Sequence, residues 1–229
     1  MWKVITFFLL ALSCILVVFS LPPIFQDPDY HRPLEGKALT FTSLLLLPTG
    51  IWGCIETCHL KAQGEKMLWM VLFFAIFFSG IGSAYYHLDP TNFRLAIDRL
   101  PLAVGFTTFL SILVYERVNR LLGLWLAPFL AIGGILSVFL WILGIIDLRL
   151  YGLVQFFPLL ALPLLLLISP SNWRKDRLLW CSWTLYLLAK VFEVIEGHLL
   201  KHLISVGAVL ALIFYVRSMH GKKKSISSK

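Results

Sequence analysis

The chain has 229 residues, of which 59% are hydrophobic, and its mean hydropathy is +0.85. A soluble core of this length needs far fewer apolar residues, so the composition excludes a soluble globular protein and indicates an integral membrane protein. The formal net charge of +8 comes largely from Lys and Arg beside the predicted membrane spans, so it does not indicate a nucleic-acid partner.

Eight apolar stretches are long enough to cross a bilayer, because a hydrocarbon core about 30 Å thick takes roughly 20 residues of helix. The predicted spans are 3–20, 39–58, 67–87, 98–115, 121–146, 151–169, 178–195 and 198–217. These runs lack the ten-residue alternation of barrel strands. The prediction is therefore an all-α polytopic membrane helix bundle in a single domain, residues 1–229, with a seven-helix core and one additional N-terminal span.

The first span has an alternative interpretation as a cleaved signal peptide, because Lys3 precedes an apolar run that ends near Ser20. Pro22 and Pro23 crowd the cleavage position, so a retained helix is favoured. The fifth span contains two adjacent glycines and is expected to form one helix rather than two.

The distribution of Lys and Arg predicts the orientation, because cytoplasmic loops are enriched in these residues. One side of the predicted bundle carries thirteen of them: Lys3, Lys61, Lys66, Arg117, Arg120, Arg174, Lys175, Arg177, Arg217, Lys222, Lys223, Lys224 and Lys229. The other side carries five: Arg32, Lys37, Arg94, Arg99 and Arg149. Both termini are therefore predicted to be cytoplasmic.

The four cysteines lie in apolar segments and suggest no disulfide framework. Cys54, Cys58 and His59 have a spacing that resembles a set of metal ligands, but no fourth partner lies nearby in sequence. We expect the cysteines to act as small buried hydrophobic residues.

A first cluster of polar residues interrupts the apolar pattern in the stretch "GSAYYHLDPTNFRLAIDRLP", residues 82–101. Ser83 and His87 are four residues apart near the end of the third span and so share a helix face. Asp98 follows a short turn and is expected to head the fourth span, where a carboxylate suits the helix dipole. Ionisable residues inside membrane spans are costly and by default suggest function.

A second cluster lies in "AKVFEVIEGHLLKHL", residues 189–203. His198 and His202 are also four residues apart and share one face of the last span. The predicted topology brings His87, Asp98, His198 and His202 to one depth in the non-cytoplasmic leaflet. Lys190 and Glu193 are expected to pair with each other or with a neighbouring helix, and Lys201 is expected to snorkel to the surface.

Three imidazoles with one open position form a catalytic zinc arrangement. His87, His198 and His202 would be the ligands, and the open position would hold a water that becomes a nucleophile near neutral pH. Asp98 could act as general base, and Ser83 could donate a hydrogen bond to an oxyanion. Taken singly, each residue has a structural alternative, such as an interhelical hydrogen bond for a histidine or an N-cap for Asp98.

At these residues the sequence resembles the alkaline ceramidases, and most closely their bacterial ceramidase-domain relatives. The shared pattern is G-S-x-x-x-H, then D-x-L-P, then a late H-x-x-x-H, which here reads Gly82, Ser83, His87, Asp98, Leu100, Pro101, His198 and His202. The bacterial group is also similar at "QDPDYH" (26–31), "AKVFE" (189–193) and "LKHL" (200–203). The wider CREST-like superfamily of seven-helix membrane hydrolases includes the adiponectin receptors and the Per1-like GPI remodelling proteins.

The resemblance implies a hydrolase that uses Zn²⁺ to cleave the amide bond of ceramide-like lipids, giving a fatty acid and a sphingoid base. It implies zinc ligation by His87, His198 and His202, with Asp98 and Ser83 at the attacking water. It also suggests a bacterial cytoplasmic (inner) membrane, and an endoplasmic reticulum membrane is the alternative.

The sequence departs from the eukaryotic alkaline ceramidases at its N-terminal side. Those enzymes carry an acidic calcium-binding segment and a W-N-x-x-S-N-like signature, which this chain lacks. Asp27, Asp29 and Glu35 are too few and too interrupted by basic residues for an oxygen cage, so calcium is not predicted. Two other hypotheses remain: a lipid-responsive receptor or scaffold with little turnover, and a hydrolase of an ester lipid.

Overall fold

In the computed structural model, the described residues are 2–31, 36–171, 174–195 and 198–220; the side chains of Asp29, Lys37 and His198 lie outside this description. Within these ranges the chain forms nine α-helices, one short 3₁₀ helix (Pro28–His31) and no strand. The α-helices are α1 (Trp2–Ser20), α2 (Gly36–Leu44), α3 (Leu46–Cys58), α4 (Gln63–Leu88), α5 (Asn92–Arg117), α6 (Arg120–Ile142), α7 (Arg149–Ile168), α8 (Asp176–Val194) and α9 (His198–Arg217).

Seven helical segments of the described chain are long and apolar enough to cross a membrane, and α2 and α3 together count as one of them. The predicted all-α bundle of membrane spans is thus confirmed as a fold class. The seventh predicted span, 178–195, corresponds to α8, which has 19 residues but is less apolar, because it carries four charged side chains: Asp176, Arg177, Lys190 and Glu193.

The second predicted span, 39–58, is divided into two helices at Leu45. Pro48 explains the break, because a proline has no N–H for the carbonyl four residues earlier and its ring clashes with that carbonyl. That carbonyl belongs to Leu44, the last residue of α2. The fifth predicted span forms one helix, α6, as expected.

The start of α5 differs from the prediction. The helix begins at Asn92 rather than Asp98, because the Thr91 side chain accepts a hydrogen bond from the Arg94 N–H and caps the helix. Asp98 therefore lies inside α5 and not at its N-terminus. The expectation that the helix dipole at the first turn stabilises this carboxylate is wrong.

Close helix packing brings α4 against α5 near the polar cluster. Gly82 of α4 lies so near α5 that a Cβ atom there would be 2.9 Å from the Asp98 Cα atom. α8 and α9 form a hairpin that contacts α2 and α3 on one side and α7 on the other. This arrangement leaves an internal cavity between the α8–α9 hairpin and α4, α5 and α7.

The first helix lies at the edge of the bundle. Among the described helices, α1 packs against α7 alone, and Phe7 is its only buried residue. Lys3 donates a hydrogen bond to the Ser169 hydroxyl at one end of α1. At the other end, Arg149 donates to the Phe19 carbonyl oxygen.

The prediction that the cysteines are buried is wrong. Cys14 and Cys54 are half-buried, and Cys58 and Cys181 are exposed. In a membrane-spanning bundle, an exposed apolar side chain faces lipid, so a small sulfur side chain meets no penalty there.

Candidate functional site

The cavity has a volume of about 450 Å³ and has one polar end and one apolar body. Polar and charged side chains at one end include Ser83, Asp98, Arg99, Lys201 and His202. The remainder is lined mostly by aliphatic and aromatic side chains of α4, α5, α7, α8 and α9. This size and character are typical of sites that hold small molecules with long apolar parts.

The imidazoles of His87 and His202 lie side by side, although they come from α4 and α9, and His202 lines the polar end of the cavity. Their ring centroids are 5.2 Å apart, and the ring planes are inclined by 56°. Both side chains are buried, with 7% and 8% of their surface exposed. Helix spacing alone could not establish this contact, since the two residues are far apart in sequence.

Two hydroxyl groups of α2 contact the His202 ring. The Thr42 Oγ1 atom lies 3.0 Å from Nδ1, and the Ser43 Oγ atom lies 3.2 Å from the same nitrogen. Because Nδ1 is engaged by hydroxyls, Nε2 is the nitrogen through which His202 would bind a metal. Histidines that bind metals are commonly oriented in this way through their other nitrogen.

Ser83 and Asp98 line the cavity near the contact between α4 and α5. The Ser83 hydroxyl lies 3.0 Å from the Ser43 hydroxyl, so one chain of polar contacts joins Ser83, Ser43 and His202. Asp98 lines the same cavity, and the close approach of Gly82 to its backbone fixes its helix against α4. The structure thus brings Ser83, His87, Asp98 and His202 to one end of the bundle.

The remaining predicted ligand, His198, begins α9 four residues before His202, and its side chain lies outside the described residues. Among the side chains that are described, no group of three or more His, Cys, Asp or Glu residues could hold a metal ion. The Cys54, Cys58 and His59 spacing forms no such group either.

The residues present nevertheless fit a zinc ion by their chemistry. Two imidazoles that bind one tetrahedral zinc ion through nitrogens at about 2.0–2.1 Å have ring centroids about 5 Å apart, and the observed separation is 5.2 Å. Neutral imidazole nitrogens suit zinc, and the hydroxyls on His202 Nδ1 supply the supporting hydrogen bonds. A carboxylate, Asp98, lines the adjoining cavity.

Three charged residues form a second feature of the cavity wall. Glu193 accepts from Lys190 at 2.6 Å, as predicted, and also from Lys201 at 2.5 Å. Lys201 therefore points into the cavity rather than to the membrane surface, so the snorkelling expectation is wrong. The physical reason is that the Glu193 carboxylate, one helix away, offers an ion-pair partner in the cavity wall.

Sequence reasoning missed several residues of this end of the bundle. Thr42 and Ser43 were not predicted as site residues. The available signal was two adjacent hydroxyl residues in an apolar span, shortly before Pro48. His31 was also missed as a contact: its ring nitrogens lie 3.1 Å from the Tyr86 hydroxyl and 2.9 Å from Asn92 Oδ1. It ties the segment before α2 to α4 and α5 beside the site.

No protein-family model matches the chain, and no curated protein does either. The resemblance to the alkaline ceramidases therefore rests on the motif residues alone.

Proposed function

We propose that this protein is a zinc-dependent membrane amidohydrolase that cleaves the N-acyl amide bond of ceramide-like lipids. The observation that carries the proposal is the contact of His87 with His202, whose ring centroids are 5.2 Å apart. His202, Ser83 and Asp98 line the polar end of an apolar cavity. In metal-assisted amide hydrolysis, imidazoles can hold the metal ion, a carboxylate can act as general base, and a hydroxyl can donate to the oxyanion.

His87, His198 and His202 would hold the zinc ion. When bound, zinc supplies Lewis-acid polarisation of a carbonyl and lowers the pKa of water. The Asp98 carboxylate accepts a proton from the attacking water and returns it to the leaving amine nitrogen. The Ser83 hydroxyl donates a hydrogen bond to the developing oxyanion, and Thr42 and Ser43 hold the His202 ring in position.

The shape of the cavity supports a lipid substrate. Its body is lined by apolar side chains such as Leu72, Leu162 and Leu212, which suit an alkyl chain. An amide at the polar end would then lie near Asp98. We further propose that the lipid enters sideways from the bilayer, that both termini are cytoplasmic, and that the membrane is a bacterial inner membrane.

The test measures zinc content and fatty-acid release from ceramide in detergent-purified protein, comparing the wild type with His198→Ala. About one zinc per chain, lost together with activity in the variant, is the expected result, because a two-histidine site binds zinc weakly. His59→Ala is the matched control, since His59 is an exposed histidine outside the cavity, and it should retain both properties.

The outcomes separate the hypotheses. Zinc without release from ceramide would contradict the amidase proposal, and product analysis with ester lipids would then separate an esterase from a receptor or scaffold. Absence of zinc from well-folded protein would overturn the metal site itself.

A further inference from the structure

Arg99 is a buried cation in the wall of the cavity, directly after Asp98 in α5. Only 8% of its surface is exposed, and it lines the cavity. Its guanidinium carbon lies 4.4 Å from the Trp141 ring centroid and 5.0 Å from that of Tyr151. The side chain is thus held in place by rings of α6 and α7.

The hydrogen bonding of this guanidinium is incomplete. Its Nη2 atom donates to the Gln26 side-chain oxygen at 2.9 Å. Its Nη1 atom is buried and has no hydrogen-bond partner in the described part of the chain. A neutral amide oxygen is therefore the one polar group that the described protein offers to this cation.

Within the described ranges, no carboxylate forms an ion pair with Arg99. The other two cations of the cavity, Lys190 and Lys201, share Glu193. The ion pairs elsewhere involve Arg94, Arg117, Arg149, Arg174 and His220. Asp98 lines the same cavity but forms no ion pair with its neighbour.

A buried cation without a counter-ion is costly, more so inside a membrane span. Aromatic faces stabilise a guanidinium but do not neutralise its charge. A guanidinium also presents parallel N–H groups that match the two oxygens of a carboxylate or phosphate. An anionic oxygen group in the cavity would satisfy Nη1 and form a direct ion pair with the guanidinium at once.

We propose that Arg99 binds the anionic group of a lipid whose alkyl chain occupies the apolar body of the cavity. This inference deepens the proposed function and rests on it for the origin of the ligand. The anionic group is a carboxylate or a phosphate, and it belongs either to the fatty-acid product or to the polar end of the substrate lipid.

The test is equilibrium binding of radiolabelled hexadecanoate, hexadecyl phosphate and hexadecanol to the purified full chain in an uncharged detergent at alkaline pH. The wild type should bind at least one anion about tenfold or more tightly than the alcohol. Arg99→Gln should remove this preference and leave hexadecanol binding unchanged. If hexadecanoate binding depends on Arg99, the anionic group is the carboxylate of the fatty-acid product. If only hexadecyl phosphate binding depends on Arg99, the anionic group is a phosphate at the polar end of the substrate lipid.

Arg94→Gln is the matched control, because Arg94 is in the same helix but outside the cavity lining and pairs with Asp89. It should bind every probe as the wild type does. Equal binding of anions and alcohol by the wild type, or an unchanged preference in folded Arg99→Gln, would overturn the inference. If Arg99→Gln does not fold, Arg99→Met replaces it, and retention of the full preference without a cation at this position would likewise overturn it.

Failure of this inference and failure of the proposed function give different results. Anion binding that depends on Arg99, in a protein that releases no fatty acid from any lipid, would retain the inference as lipid binding and reject the hydrolase. Zinc-dependent release of fatty acid without any effect of Arg99 on anion binding would retain the hydrolase and reject the role of Arg99.

Discussion

The His202 imidazole contacts Thr42 and Ser43 through the same nitrogen, and this contact limits how the ring can act. A ring held at Nδ1 by hydroxyls has a defined orientation and presents Nε2 to its other neighbours. The ring centroids of His87 and His202 are 5.2 Å apart, and this separation is suited to two imidazoles that bind one metal ion.

Replacement of both hydroxyls, as Thr42→Val with Ser43→Ala, should weaken zinc binding about 10- to 100-fold, because hydrogen bonds to the second nitrogen orient metal-binding histidines. Competition with a zinc chelator measures this affinity. Thr49→Val is the matched control, since the Thr49 hydroxyl bonds only to carbonyl oxygens of its own helix region in the described chain. Equal zinc affinity in the double variant and the control would contradict the orienting role.

Replacement of the proposed general base, as Asp98→Asn, should abolish hydrolysis while the protein still binds zinc. An amide of the same size cannot accept the proton, and positioned acid–base groups contribute about 10²- to 10⁴-fold to rate. Fatty-acid release and metal content are measured on the same preparation. Full activity in a zinc-loaded variant would rule out the assignment.

Residue spacing in the sequence was sufficient to select Ser83, His87, Asp98 and His202, which the structure brings to one end of the bundle. It was not sufficient for Thr42, Ser43 or Arg99. The contacts of Thr42 and Ser43 come from α9, about 160 residues away, and single hydroxyls in a membrane helix usually bond their own backbone. The buried position of Arg99 depends on rings from α6 and α7, which no local pattern indicates.

At the scale of helices, the spans were predicted closely but their ends and breaks were not. Hydrophobic run length locates a membrane helix because the bilayer sets that length. It does not report a cap such as Thr91, which starts α5 well before its apolar run. It also does not report the effect of Pro48, which divides the second span and so ends α2 beside Thr42 and Ser43.

The contact of α4 with α5 at Gly82 should not accept a side chain. Gly82→Ala would place a Cβ atom 2.9 Å from the Asp98 Cα atom and from the Ile97 carbonyl oxygen, so the helices must separate. We expect destabilisation of about 1–3 kcal/mol and reduced hydrolysis, because Asp98 is displaced. Thermal unfolding and fatty-acid release measure the two effects.

Gly133→Ala is the control for this change, because a Cβ atom at Gly133 in α6 would have nothing within 4 Å. Alanine is the better helix former by about 1 kcal/mol, so this variant should be as stable as the wild type or more stable. Equal thermal stability and equal fatty-acid release in the two glycine variants would contradict the close-packing argument.

Across the described chain, the charged side chains are concentrated at the two ends of the helix bundle. About 27 Å of helix, at 1.5 Å per residue, separates Asp98 from a buried ion network at the other end of α5. There the Glu116 carboxylate, with no exposed side-chain surface, pairs with Arg174 at 2.7 Å and accepts from the Tyr215 hydroxyl. Arg117 pairs with Asp176, and Arg174 also pairs with Glu65.

Glu116→Gln should destabilise the fold by about 3–5 kcal/mol, because removal of one partner leaves buried charge uncompensated. Unfolding in mixed detergent micelles measures the loss. Asp89→Asn is the comparison, since the Asp89 side chain is 65% exposed in its pair with Arg94 and such pairs contribute about 0–1 kcal/mol. A Glu116 variant as stable as the Asp89 variant would show that the network is not a major source of stability.

The attachment of α1 to α7 has a consequence for the order of biosynthesis. Lys3 meets Ser169, a residue 166 positions later in the chain, so the contact cannot form until Ser169 has been synthesised. Until α7 is made, α1 has no partner among the described helices and must be stable in the lipid by itself. It is the most apolar of the seven candidate spans, so it can be stable in the bilayer before its contacts with the rest of the fold form.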